Sequence, residues 1–232
     1  MSVTQTRADS TAGTMCWSCK AATAGGHFCA ACGKIQPLPR GTSYFVFFGL
    51  PEKLQIDAGA LEQQFHKLSW KLHPDNFVRA SELERNLSLE RSSELNDAYR
   101  ALHDPLARVE YLLAHEGLRK EGAAKQQAPP ELLEEVFELN ESLDELREAR
   151  ASGDDVAGLR ERLETAQSDF EEKLGEIDEE LDAMRSRWDA AFDAGAGKEA
   201  RAELMSRMNE ILNRRSYIRN LVASVQKELT EA

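Results

Sequence analysis

The sequence predicts an all-α fold: a helical hairpin followed by a three-helix bundle, with a small metal module in front. Three observations lead there. Glu, Leu, Ala and Arg dominate the second half, and after Pro129-Pro130 the chain contains no further proline while its apolar residues recur at helical spacing. A similar stripe (Leu61, Phe65, Leu68, Leu72) runs into His73-Pro74-Asp75, where proline must stop the helix because it has no N–H and its ring clashes with the preceding turn. All four cysteines lie between positions 16 and 32, as two C-x-x-C pairs.

Charge and hydropathy exclude several classes. A net charge of −12 argues against general nucleic-acid binding, which needs a basic footprint, and so against a nucleic-acid-binding zinc ribbon. The longest apolar cluster, Tyr44 to Leu50, is far too short to span a membrane. Residues 1–14 are polar, without the hydrophobic region of a secretory signal, and read as a disordered tail. Cysteines confined to one short segment do not describe a disulfide-stapled secreted domain, so a reducing, cytoplasmic setting is expected.

Residues 15–38 form the cysteine module. Cys16 and Cys19, then Cys29 and Cys32 after nine residues, give two turns that each present two thiolates, together completing a tetrahedral site. Gly33 relaxes the backbone behind the last cysteine. Four soft thiolates suit zinc, and a closed shell with no open position points to a structural ion. A redox C-x-x-C pair and an iron–sulfur cluster are the competing uses, the first needing a βαβ setting that this short, glycine-rich segment lacks. His27 reads as an exposed loop histidine. Pro37 and Pro39 make a stiff connector to the next domain.

Residues 43–118 read as four helices. Tyr44 to Leu50 is a compact aromatic first helix, stopped by Gly49 and Pro51. The second runs from Asp57, as N-cap, to Leu72, with Lys67 and Lys71 on an outward face and His66 nearby. The third spans about Ser81 to Leu102, with Leu95, Ala98, Tyr99 and Leu102 inward. Asp104 and Pro105 then supply an N-cap and N1 proline for a helix carrying Val109, Leu112 and Leu113 that ends at Gly117. Taken alone, Lys67 and Lys71 are a solvated face, His73 a residue favoured by the helix dipole, and a catalytic His–Asp pair lacks both nucleophile and pocket.

Tyr44-Phe45-Val46-Phe47-Phe48-Gly49-Leu50-Pro51, His73-Pro74-Asp75, Asn96 to Leu102, Asp104-Pro105-Leu106-Ala107-Arg108 and Tyr111-Leu112-Leu113 occur in that order. This series resembles the HscB family, the J-domain co-chaperones of iron–sulfur cluster biogenesis, closely over residues 43–118 and more loosely beyond. The mitochondrial form and a subset of bacterial members resemble this chain in carrying the cysteine module. The resemblance implies a J-domain whose HPD turn, His73, Pro74 and Asp75, touches an HscA/DnaK-type ATPase chaperone of the seventy-kilodalton heat-shock class and stimulates its ATP hydrolysis. It also implies that Lys67 and Lys71 meet an acidic face of that chaperone. Such charges steer encounter and register, and Asp75 offers a carboxylate to an arginine.

After a linker at 119–130, residues 131–232 carry three stripes. Leu132, Val136, Leu139, Leu143 and Leu146 make the first; Val156 through Trp188 the second; Leu204, Met208, Ile211, Ile218, Val222, Val225 and Leu229 the third, interrupted by Arg215. Breaks at Gly153 and at Gly195-Ala-Gly197 favour an antiparallel intramolecular bundle over a separate coiled-coil dimer. Leu133 and Phe137 lie roughly 100–140° off the first stripe, and Tyr217 is off the third by a similar angle. Glu134, Glu138 and Glu141 lie near the first two. An apolar patch with a carboxylate rim has the composition of a protein-binding site, although packing inside the protein would account for it equally well. The resemblance implies that this face binds the IscU-type scaffold on which the cluster is assembled. Its apolar contacts fall at Leu133, Phe137 and Tyr217 and its acidic ones at Glu138 and Glu141, while Glu134 stands where other members often have an apolar residue. The function expected is therefore non-enzymatic delivery of a scaffold to a chaperone. A general J-domain folding co-chaperone and a zinc-dependent thiol redox protein are the alternatives.

Overall fold

The structure, a computed structural model, describes residues 14–119 and 130–230. The expected tail and linker fall almost wholly outside the described residues. Among those described, helix dominates as expected. A two-residue antiparallel pair, β1 (Thr14–Met15) and β2 (Ala22–Thr23), precedes α1 (Tyr44–Phe48), α2 (Ala58–Leu72), α3 (Glu82–His103), α4 (Pro105–His115), α5 (Leu133–Ser152), α6 (Ala157–Asp193) and α7 (Lys198–Thr230). The chain divides into two compact units, the first ending at Arg108 and the second beginning at Val109, so the division runs through α4.

In the first unit each helix starts where a side chain satisfies its free amides. Ser43 Oγ accepts from Val46 N–H, and Asp57 Oδ1 from Ala60 N–H at 2.7 Å. At α3, Ser81 and Glu84 form a reciprocal capping box. Asp104 accepts from Ala107 N–H ahead of Pro105, as its sequence position predicts. Phe45, Phe47 and Phe48 of α1 are buried, as are Leu61, Leu68 and Leu72 of α2 and Leu87, Leu95, Ala98 and Leu102 of α3. Tyr99 is half-buried with its ring 4.3 Å from that of Phe65.

One buried cation ties the corner of this unit. Arg108 donates to the carbonyls of Leu102 at 2.7 Å, Leu54 at 2.5 Å and His103 at 3.4 Å, linking the α3–α4 corner to the loop after α1. Its five fixed donors satisfy backbone acceptors that burial would otherwise leave without water.

In the second unit α6 and α7 form a long antiparallel hairpin, with Gln167 bonded to Gln226 at 2.8 Å and Arg215 to Asp178 at 3.1 Å. The residue that interrupts the third stripe is thus turned outward to an acidic partner. α5 runs antiparallel to α6, through Arg162–Glu145 and Lys173–Glu135, and reaches α7 through Arg147–Glu228. Hydrogen bonds from Arg147 hold the Glu228 carboxyl below the usual carboxylate range, against burial and with help from the nearby cations. α5 ends where Gly153 adopts φ 76°, a left-handed conformation that glycine tolerates at no steric cost. The buried residues follow the expected stripes from Leu139 through Trp188. On α7, Met205 and Leu212 are buried, whereas Leu204 and Val222 are only half-buried. A straight helix of 3.6 residues per turn drifts away from a strict heptad, so one fixed stripe cannot stay inward over its whole length.

Replacing Arg108 by alanine strands three carbonyls in the corner. The substitution is expected to lower the stability of the first unit by about 3 kcal/mol or more, read from urea unfolding followed by circular dichroism.

Candidate functional site

The HPD turn sits where α2 is forced to stop. A continuing helix would bond the carbonyl of Trp70 to the amide of residue 74, but Pro74 has no amide hydrogen. Asn76 takes over, donating from Nδ2 to Trp70 O at 2.6 Å. The carbonyl of Leu72, two residues on, accepts from Ser88 Oγ at 2.6 Å and Ser92 Oγ at 3.1 Å, both on α3. Pro74–Phe77 then winds as a short 3-10 turn, with Asn76 N–H bonded to His73 O at 3.0 Å and Phe77 buried. The end of α2 is thereby fixed to α3 by side chains, not by helix continuation.

On this anchored turn His73 and Asp75 face water. His73 Nδ1 accepts the Asp75 amide hydrogen at 3.3 Å and lies 3.5 Å from Asp75 Oδ2. The Asp75 carboxylate is 85% exposed, free to meet a cationic partner. Lys67 and Lys71 are both exposed on α2, as expected.

The cysteine module closes into one cluster. The four sulfurs of Cys16, Cys19, Cys29 and Cys32 all lie within 4.8 Å of one another, with Cys16–Cys32 at 3.6 Å and Cys19–Cys29 at 3.7 Å. Tetrahedral thiolates about 2.3 Å from a central ion would be spaced about 3.8 Å apart, so the donor set fits a four-coordinate metal. The two turns repeat one pattern. Lys20 N–H bonds Cys16 O and Gly33 N–H bonds Cys29 O, while the Cys16 and Cys29 amides bond Ala21 O and Lys34 O. Lys20 and Gly33 occupy matching left-handed conformations, φ 62° and 70°. Burial opposes ionisation of the Cys16 thiol, but the amides of Cys19 and Ser18 and the adjoining thiols outweigh it and hold it down at about 6. The Lys34 amide likewise favours the Cys32 thiolate, but burial and the adjoining thiols outweigh it and push that thiol up to about 12.

The module packs against α1 and α3 within the same unit, and here one expectation is corrected. His27 is not an exposed loop residue: its Nε2 donates to Phe47 O at 2.8 Å and its ring stands edge-on to that of Phe47, with centroids 4.5 Å apart. Burial pushes the His27 imidazole below its ordinary range, the Phe47 carbonyl partly opposes this, and Arg91 adds to it. Ile35 is buried, and its carbonyl accepts from Trp17 Nε1 at 2.7 Å. Lys34 bonds Glu84 at 2.9 Å, joining the second cysteine turn to the capping box of α3. That bond holds the Glu84 carboxyl low against the opposing effect of burial, with Ser81 contributing.

On the second unit Leu133 is 55% and Phe137 71% exposed, and Glu138 and Glu141 are also exposed. Tyr217 is half-buried. Glu228 on α7 pairs with both Arg147 and Arg150 on α5.

No family model matches the chain. Curated relatives do. A co-chaperone protein HscB homolog of Vibrio vulnificus is 34% identical over 151 residues, which is 65% of this chain and 85% of the relative. The chain belongs to the HscB co-chaperone family. An HscB homolog of Vibrio cholerae is 39% identical over 117 residues, 50% of this chain and 67% of that one. The crystal structure of human co-chaperone protein HscB matches the fold with a TM-score of 0.62 at 23% identity, over 93% of this chain and 98% of that one.

Within this HscB chain, sequence reasoning overlooked the residues that brace the turn. Asn76 could have been found, because a proline four residues after Trp70 announces an unpaired carbonyl. Ser88 and Ser92, and the Lys34–Glu84 pair fifty residues apart, carry no local signal.

Metal removal tests the cluster and its docking together. Chelation is expected to expose the four thiols to alkylation and to raise amide exchange at His27, Lys34 and Ile35 while α5 to α7 keep their protection. Hydrogen exchange with mass-spectrometric readout follows both.

Proposed function

We propose that this chain is a co-chaperone of iron–sulfur cluster assembly that brings a scaffold protein to an ATPase chaperone. His73, Pro74 and Asp75, with Lys67 and Lys71, contact an HscA/DnaK-type chaperone. Leu133, Phe137, Glu138, Glu141 and Tyr217 contact an IscU-type scaffold. Zinc occupies the four-cysteine site as a structural ion, and the protein itself catalyses no reaction. A reducing, cytoplasmic setting accompanies this reading, since it keeps four thiols from pairing as disulfides. The observation that carries it is an exposed HPD turn, anchored by Asn76, Ser88 and Ser92, in a chain of the HscB family.

The physical requirement is differential binding. The turn stimulates hydrolysis only to the extent that it favours the hydrolysis-competent form of the chaperone over its resting form. Asp75 supplies the directional charge and the lysines steer the approach. Meanwhile the exposed Leu133 and Phe137 offer apolar area, bordered by Glu138 and Glu141, that a partner can cover. Holding both partners on one chain raises the effective concentration of scaffold at the chaperone.

Two outcomes are expected. Asp75→Asn abolishes stimulation of the cognate chaperone's ATPase without changing the circular dichroism spectrum, and a wild-type chain that gives no stimulation would falsify the proposal. Leu133→Ala combined with Phe137→Ala weakens scaffold binding by about tenfold or more in calorimetry, leaving stimulation in the absence of scaffold unchanged.

A further inference from the structure

Trp70 is 80% exposed, a placement that ordinary packing does not explain. At about 100° per residue it lies on the far side of α2 from the Leu61, Leu68 and Leu72 stripe. Its indole makes no hydrogen bond among the described residues; only its carbonyl is used, by Asn76. Together with His66, Ser69, His73, Asp75 and Asn76 it lines a shallow depression of about 560 Å³ directly beside the HPD turn. Lys67 and Lys71, both exposed, lie on one side of Trp70, roughly 60° and 100° round the same helix.

We propose that Trp70 is the apolar anchor of the chaperone contact, seated in a pocket of the ATPase chaperone while the HPD turn engages beside it. This rests on the co-chaperone reading and adds to it the residue that holds the complex together. The argument is one of division of labour. Exposed charges such as Lys67, Lys71 and Asp75 set rate and register but contribute little net affinity across water. Lasting attachment needs apolar area withdrawn from solvent, and a tryptophan offers the most of any side chain with only two torsions to freeze. Trp70 is that area on this face, continuous with the turn.

The occupant is set by the charges around the ring. Both lysines lie to one side of Trp70, so a pocket that receives its ring must be apolar inside and acidic along that edge. A second copy of this chain meeting the same face about a twofold axis would set lysines against lysines. A lipid surface needs a broader apolar face and a basic balance, whereas this chain has net charge −12.

The chain's three tryptophans make the test direct. Trp188 is 2% exposed and the Trp17 indole is bonded to Ile35 O, so Trp70 is the solvent-facing one. The full chain is labelled with 5-fluorotryptophan and titrated with the unlabelled, ATP-loaded cognate DnaK-type chaperone. The Trp70 fluorine resonance is expected to shift and lose its solvent isotope effect, with those of Trp17 and Trp188 unmoved. In steady-state ATPase assays Trp70→Ala is expected to raise the concentration for half-maximal stimulation about tenfold with the maximal rate retained, and Trp70→Phe to recover most of the loss. An unchanged half-saturation for Trp70→Ala, alongside a silent Asp75→Asn, overturns the anchor and leaves the co-chaperone reading standing. No stimulation by the wild-type chain overturns both. A Trp70 resonance that moves with the chain's own concentration, without chaperone, assigns the face to self-association and overturns the proposal.

Discussion

Pro74 has no amide hydrogen to give the carbonyl of Trp70, and much of the first unit answers that single deficit. α2 must stop, and its last carbonyls need other donors in a region where α3 packs closely. Asn76, Ser88 and Ser92 are those donors. Each stands in for a helical hydrogen bond, and each also ties the turn to something rigid. The HPD side chains therefore face solvent from a backbone with little freedom, which is what a recognition turn needs: the entropy of ordering it is spent in folding and not at the moment of contact.

The cysteine module extends the same hairpin. The His27 ring packs edge-on against Phe47 of α1, and Lys34 reaches the carboxylate that caps α3. α3 is also the helix that supplies Ser88 and Ser92 to the end of α2. A continuous set of contacts thus runs from the second cysteine turn, through Glu84 and α3, to the residues beneath His73. A module of this size has little core of its own, so a metal bound by the four cysteines would order the Lys34 and His27 contacts as well.

The C-terminal unit uses charge for alignment more than for strength. Arg162–Glu145, Lys173–Glu135 and Arg215–Asp178 lie at its surface, where each pair contributes at most about 1 kcal/mol. Their value is register: they fix which residues stand level on neighbouring helices. Burial of Phe170, Ile177, Leu181, Met184 and Trp188 supplies the cohesion. Because that core is complete without Leu133 and Phe137, these two remain outside with apolar area uncovered.

By itself the sequence determined the helices and their breaks, with the caps at Asp57 and Asp104, because these residues and Gly153 act on neighbours within a few positions. It also determined which four cysteines come together, through spacing, and the exposed HPD turn, through the chemistry of proline. Off-stripe Leu133 and Phe137 were legible for the same reason, since angle on a helix is set by residue number. Tertiary structure alone decided the rest. That His27 leaves the loop surface for Phe47, that Lys34 finds Glu84 and that serines of α3 complete the end of α2 all depend on segments brought together across 16 to 50 positions. Contacts of that kind arise from the packing of whole helices, and no local periodicity encodes them.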